Sequence, residues 1–556
     1  MKNIKYKFFT ILSIVLFLIS CDSDLFEENP PHLITAETLY TSYDGFDAGI
    51  NGLYSLVRRE KEEGLRSHQL LGGLFLYGTD NTVTNHWTYG AALIAEYWKD
   101  HNNPNDEDIE DVFSWLYKVV NSANTIINTA ENNHDIDWIG NGRSIEDNKN
   151  YIIAEARAIR AWAYRHLTYA WGDVPLNLDQ SSGATIKTDW ERTPVAEVRN
   201  QIIEDLLFAE KYIQIEPAIR GRISKGAVQH YLAEIYLTLK DHNNALNWAN
   251  KVINTQEYRL VLERYGVNSN NPGTPFTDMF LDGNTNREEG NTEALWVFQF
   301  GLNVTGGGGA LIRRVHFSRY PNISVNGVRP LQATYERGGV GFGRVSLTKW
   351  VMDSYEPQDD RFSGYAIRKY FILGDETMNA PYPADILPEG WSYGDTLWMD
   401  WSNDISEENK ARADWPFSRK AQGTDPNNMN EFYSHTDLVY LRLAETYLIK
   451  SEAELLLERY DDAANTLNII RARSNASPIS AAEVDIDFIL DERSRELLME
   501  EQRRWSLLRT GKLVERVRKY NHNGGQHIAE RDTIYPLPQS VIDANITHDM
   551  EQNEGW

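Results

Sequence analysis

With 556 residues, 41% of them hydrophobic and 24% charged, the chain carries enough apolar material for a large globular core and for one to three domains. Its 81 acidic against 55 basic residues leave a net charge of −26, which repels phosphate backbones and excludes nucleic acid as a partner. A single cysteine excludes an internal disulfide and any Cys-x-x-Cys redox or zinc site.

The chain opens with MKNIKYKFFTILSIVLFLISCDSD: Lys2, Lys5 and Lys7, an apolar run from about Phe8 to Ile19, the small Ser20, then Cys21. That is the layout of a secretory signal, and the run is short of the roughly 20 residues that cross a bilayer. LISC resembles a bacterial lipobox, which implies cleavage before Cys21 and attachment of acyl chains, palmitate among them, to that residue. Several chains on one cysteine supply the two or more signals that stable anchoring needs. We therefore expect a lipoprotein signal peptide over 1–20, a lipidated acidic tether over 21–32, and one domain over 33–556 that is anchored to a membrane without spanning it.

The first strong helical pattern lies in YIIAEARAIRAWAYRHLTYAWGDVPL, where Ile159, Trp162, Ala163, Leu167 and Ala170 fall on one face. Gly172 and Pro175 end it. In GRISKGAVQHYLAEIYLTLKDHNNALNWANKVIN, Val228, Leu232, Ile235 and Leu239 make a second stripe, and Ala245, Ala249 and Val252 a third beyond the polar turn KDHNN. Helices joined so closely lie antiparallel. The placing of Ala233, Tyr236, Ala245 and Ala249 is that of a tetratricopeptide unit, in which small residues let two helices pack closely.

From about 256 to 435 the pattern changes. TGGGGA, RGGVGFGR and many prolines predict a loop-rich excursion of mobile or tightly turning backbone, with short β-like runs such as EALWVFQF. Trp391, Trp398, Trp401 and Trp415 stand in one stretch of it without helical periodicity, and loops on a rigid scaffold are where binding residues gather.

Helical periodicity then returns. DLVYLRLAETYLIKSEAELLLERYDDAANTLNIIRARSN carries a looser repeat copy, with Leu441, Ala444, Leu448, Ser451 and Leu455 on a first helix and Ala463, Leu467 and Ile470 on a second. One pair cannot bury its own apolar face, so several must stack. Farther on, Leu490, Leu497, Trp505 and Leu508 read as packing, Glu500 and Arg504 as an i,i+4 pair on a solvated helix face, and Gly511 as a helix cap.

Five of these stretches, AEARAIRAWAYRHLTYAWGDVPL, GRISKGAVQHYLAEIYL, DLVYLRLAETYLIKSEAEL, ILDERSRELLMEEQRRWSLLRTGKL and IYPLPQSVIDANITHDMEQNEGW, together with the lipobox, resemble the SusD/RagB family of Bacteroidetes surface lipoproteins. The resemblance implies an all-α fold: a SusD-like helical frame of four tetratricopeptide-like helix pairs with a loop-rich insertion carrying a few short strands. The frame would occupy about 36–255 and 436–515, the ligand-side excursion about 256–435, and a closing segment 516–556. It further implies surface exposure on the outer membrane through the lipid anchor, and a SusC-like TonB-dependent transporter as partner. In this reading the protein captures an oligosaccharide and closes over the transporter as its lid, with no catalytic residue and no cofactor; metal ligands are not assigned.

The resemblance directs attention to two segments. In GTDNTVTNHWTYGAALIAEYWKD, Trp87 and Trp98 offer flat faces to sugar C–H groups, with Asp80, Asn81 and Asn85 hydrogen bonding to hydroxyls; in RRVHFSRYPN, Arg319 and Tyr320 do the same. For every one of these aromatics the competing role is burial against the frame. Two other functions stay open. A peptide-capturing member of the same family would show the same framework, and a secreted glycoside hydrolase would need two carboxylates across a cleft, which nothing in the sequence singles out. No HExxH or phosphate-binding loop is present.

Overall fold

The structure, a computed structural model, describes residues 35–62, 71–85, 102–181, 187–374, 383–403, 408–425, 427–431 and 433–556. Cys21, the tether, Trp87 and Trp98 lie outside them. The main helices are α1 (Tyr43–Glu62), α2 (Glu107–Asn132), α3 (Ile145–Trp171), α4 (Val195–Tyr212), α5 (Lys225–Thr238), α6 (His242–Ile253), α7 (Leu443–Leu456), α8 (Tyr460–Arg473), α9 (Ile486–Leu497), α10 (Arg503–Arg509) and α11 (Leu513–Tyr520). Helices α1 to α8 form four pairs, and α2 packs on α3, α4 on α5 and α6 on α7, so each pair covers the apolar face of the next. This is the expected frame of tetratricopeptide-like pairs.

The turns explain why the two repeat copies fold alike. Lys240 follows α5 with φ 63° and Glu458 follows α7 with φ 59°. In the first turn Asp241 N–H donates to Tyr236 O and Lys240 N–H to Leu237 O; in the second Arg459 N–H donates to Glu454 O and Glu458 N–H to Leu455 O. Both are Schellman closures that satisfy the last carbonyls of the helix. Gly511, φ 69°, closes α10 in the same way and so is the cap its sequence position suggests.

Helix α3 departs from the one-faced pattern. Between Tyr151 and Trp171 every residue but Arg157 is buried, because α1, α2 and α4 all pack on it. The C-terminal region covers what remains: the Trp505 ring stacks on Tyr169 with centroids 5.3 Å apart, and its indole N–H donates to His166 Nδ1. Gly172 ends the helix as expected.

Two further expectations are corrected. Leu441 belongs not to α7 but to a strand, β8 (Leu438–Arg442), that runs directly into it. Glu500 and Arg504 do not share a solvated helix face: α9 stops at Leu497, Met499 turns with φ 71° and α10 starts at Arg503. Arg504 is fully buried, its guanidinium 4.4 Å from the Tyr535 ring centre. Glu500 instead accepts Arg442 Nε at 2.6 Å and pairs with Lys420. It is one edge of a buried ion network in which Glu293 and Glu496 each hold both Arg442 and Arg473, while Glu492 and Glu496 hold Arg361. The network ties β8, α8 and α9 to the excursion. Buried charges of this kind are tolerated only when every one is paired.

Among the described residues the excursion adds four small antiparallel sheets of two strands each: β1 (Thr82–Thr84) with β3 (Val345–Leu347), β2 (Ala294–Phe298) with β8 (Leu438–Arg442), β4 (Ile367–Arg368) with β7 (Phe417–Ser418), and β5 (Tyr370–Ile372) with β6 (Thr396–Trp398). EALWVFQF thus supplies a strand, and it joins the excursion to the frame through its ladder with β8. A second apolar core, including Phe317, Tyr320, Leu331, Phe371, Leu397 and Phe417, lies within the excursion itself.

Candidate ligand surface

The structure brings the two sequence-predicted segments together. Strand β1 pairs with β3, Asn85 N–H donates to Arg344 O at 2.6 Å, and Arg344 N–H donates to Val315 O at 2.8 Å. The Asn85 side chain is buried in this junction, its amide donating to Gly343 O and Ser346 Oγ.

Asp80 and Asn81, expected to face a ligand, are buried at 0% and 3% exposure. Asp80 takes Arg503 at 2.7 and 2.8 Å and Arg516 at 2.7 Å. Burial alone would raise its carboxyl; Arg503 and then Arg516 outweigh that and hold it below the usual carboxylate range. Asn81 Oδ1 accepts from Ser494 Oγ at 2.7 Å, and its carbonyl accepts from Thr348 N–H at 3.0 Å. These two side chains clamp the C-terminal helices to the frame and have no surface left for a ligand.

Tyr320 is likewise at 0% exposure, with its ring centroid 4.7 Å from that of Phe371. Burial pushes its phenol up to about 12. Its neighbour Arg319 is half-buried and does point to a cluster. The Arg314, Arg319 and Arg344 guanidiniums lie 3.6, 4.9 and 5.2 Å from the centre of the Phe342 ring, and Arg412 Nε donates to Phe342 O at 3.0 Å. Burial, reinforced by Arg344, Arg313 and Arg319, pushes Arg314 down to about 9. Such cation–π stacking fixes flat guanidinium forks around a half-buried ring.

The RGGVGFGR loop sets that ring in place by turning tightly. A Cβ at Gly341 would stand 1.9 Å from Phe317 O, and one at Gly343 would stand 2.3 Å from Arg412 O. Only glycine permits so close an approach of two backbones. The sequence signal for Phe342 was therefore present, as an aromatic residue with a glycine on each side, but its meaning depended on what the loop packs against.

The four tryptophans between 391 and 415 separate in space. Trp415 is buried and donates its indole N–H to Leu347 O at 2.9 Å. Trp391 and Trp401 are partly buried against excursion cores. Trp398 is 59% exposed. It sits opposite Tyr370 across the β5–β6 ladder, ring centroids 4.9 Å apart, on the face that also carries Ile372 and Thr396. The other face, Phe371 and Leu397, enters the excursion core. Strand alternation thus leaves an aromatic pair on the outer side.

Among the described residues no group of three or more His, Cys, Asp or Glu side chains is placed to hold a metal ion, and no helix is long and apolar enough to cross a membrane. Glu155, which burial raises to about 7, is sealed at 0% exposure against Tyr54 and Arg222 and does not line a cleft.

Two family models match the chain: the SusD family over residues 292–556, and a family described as "Starch-binding associating with outer membrane" over residues 61–237. The chain is 26% identical to SusD-like protein P2 of Formosa agariphila over 580 residues, covering 99% of this chain and 100% of that one. Among solved structures it is similar to a laminarin binding SusD-like protein, with TM-score 0.65 and 19% identity, covering 93% of this chain and 100% of that one. It is similar also to surface glycan-binding protein A from Bacteroides fluxus, with TM-score 0.65 and 17% identity, covering 92% and 99%. The order of the motifs, the stacked helix pairs and these matches together support a SusD/RagB family protein.

Proposed function

We propose that the protein is a surface glycan-binding lipoprotein of the outer membrane that captures an oligosaccharide and delivers it to a TonB-dependent transporter, acting as its lid without cleaving the ligand. Acyl chains on Cys21 hold it, and residues 21–32 form the tether. The observation that carries the reading is the exposure of Trp398 beside Tyr370 on the outer face of β5–β6. Large aromatic rings are ordinarily buried, and an exposed ring flanked by a half-buried one on a rigid ladder offers a platform for the C–H face of a pyranose. The names of the laminarin-binding and surface glycan-binding relatives support the same ligand class.

In this reading Arg319 donates to sugar hydroxyls, and Trp87 and Trp98, which follow β1, supply further rings. Substitution Trp398→Ala tests it: the ectodomain from Asp22 onward keeps its melting temperature and loses most of its affinity for the polysaccharide that retards it in a gel. Unchanged affinity would remove the platform from the account. Separately, Cys21→Ala should move the protein from the membrane to the soluble fraction, and the full chain should copurify with a transporter from the outer membrane.

A further inference from the structure

Away from the excursion, a recess of about 870 Å³ lies where α10, α11 and the segment around Thr533 meet the ends of α3, α4 and α5. Arg199 of α4 lines it. Its guanidinium centre lies 5.5 Å from the Tyr169 ring centre, and its Nε is buried without an acceptor. Among the described residues it makes no hydrogen bond or ion pair. Arg199 is half-buried, and a buried guanidinium N–H without an acceptor is costly, so the fold keeps a donor here that an outside anion would satisfy.

The remaining charges of the recess set the size of that anion's charge. Arg509 is neutralised by Glu452, and Glu515 pairs with Lys512, whose other partner Asp487 is held by Arg516 as well. Arg518 donates to Ile528 O at 3.1 and 2.7 Å and, among the described residues, has no carboxylate partner, while Glu530 stands exposed on the rim. Two guanidiniums against one carboxylate leave an excess of one positive charge. The walls combine apolar side chains, Leu513 and Ile534 among them, with Thr238 and Thr533, whose hydroxyls donate to Glu234 O and Glu530 O. A phosphate dianion would bring more charge than the recess offsets, and a neutral sugar would leave Arg199 unanswered.

We propose that this recess is a second ligand site, independent of the glycan platform, which takes a small hydroxylated monocarboxylate of the sugar-acid class with its carboxylate on Arg199. The test uses the ectodomain with sodium D-glucuronate as probe and D-glucose at matched ionic strength as control, read by calorimetric titration and by the shift in melting temperature that a ligand of the folded state produces. Arg199→Ala breaks no hydrogen bond of the protein and so should fold as the wild type does. The expected result is binding of glucuronate and not glucose, weakened about tenfold or more in Arg199→Ala, the worth of a lost charge-assisted pair; Arg199→Lys, which keeps the charge and loses the planar fork, falls between. The proposal is overturned if the wild type responds to glucuronate no more than to sodium chloride, if glucose binds equally well, or if Arg199→Ala binds glucuronate as the wild type does. None of these outcomes depends on whether Trp398 binds a glycan.

Discussion

Asp80 and Arg503, 423 positions apart in sequence, meet in a buried, doubly hydrogen-bonded pair, Nε to Oδ1 at 2.8 Å and Nη2 to Oδ2 at 2.7 Å. Arg516 closes on the same carboxylate, so one short segment after α1 holds the start of α10 and the middle of α11.

Asp80→Asn takes from buried Arg503 the carboxylate that holds it through two hydrogen bonds, leaving it Glu501, and from Arg516 one of three, Asp487 and Asp491 remaining. Removing one partner of a buried pair costs about 3–5 kcal/mol, so the variant should melt well below the wild type. Its folded fraction, assayed at low temperature, should still bind the polysaccharide. Intact stability together with lost binding would restore Asp80 as a ligand residue.

Trp398→Ala should behave in the opposite way. The ring is 59% exposed, so stability should change by no more than about 0.5 kcal/mol, while glycan affinity falls about threefold to tenfold, the worth of one aromatic contact. Tyr320→Ala, by contrast, removes a fully buried ring and should cost about 3–5 kcal/mol. Paired melting and binding measurements on both variants separate the platform residue from the core residue.

Gly341→Ala should damage the Phe342 cluster without touching a charged group. The new methyl would meet Phe317 O, so the loop must shift and Phe342 leaves its arginines. The expected outcome is a lower melting temperature with altered exchange protection confined to residues around 313–344, measured by hydrogen exchange; an unchanged pattern would show that the loop adapts without moving the ring.

Acid should destabilise the protein before its ion-paired carboxylates protonate. Burial lowers His230 and His316 to about 3 from the ordinary 6.5. A base with a depressed pKa takes up its proton only on unfolding, so its contribution is present above pH 6.5 and is lost as pH falls toward 3, at no more than about 1.4 kcal/mol per pH unit for each histidine. Glu234 and Glu492, lowered to about 2, act only below pH 4.5, whereas Glu155, raised to about 7, stabilises as pH falls from 7 to 4.5. Between pH 6.5 and 4.5 the histidine effect can therefore be isolated by substitution. His316→Gln should take up about one proton fewer on unfolding, as read from the buffer dependence of the unfolding enthalpy, and an equal uptake would contradict the assignment.

The helical frame was legible because its signals are local. The turn after Leu239, the stop at Gly172, the cap at Gly511 and the strand in EALWVFQF each follow from a few neighbouring residues. What stayed hidden depends on distant partners. The acidic Asp80 reads as a surface group until Arg503 and Arg516 fold onto it, and Glu500 and Arg504 read as an exposed helical pair until the chain turns at Met499 and the network around Glu496 claims them. Trp398 and Trp415 look alike in sequence; only the β5–β6 register sends the first outward, while packing buries the second beside β3.

The most direct test of glycan capture without cleavage is native electrophoresis of the ectodomain through gels holding different polysaccharides, with reducing ends assayed in parallel. Retardation by at least one polysaccharide with no new reducing ends is the predicted result. New reducing ends, or free migration through every gel of the panel, would contradict it.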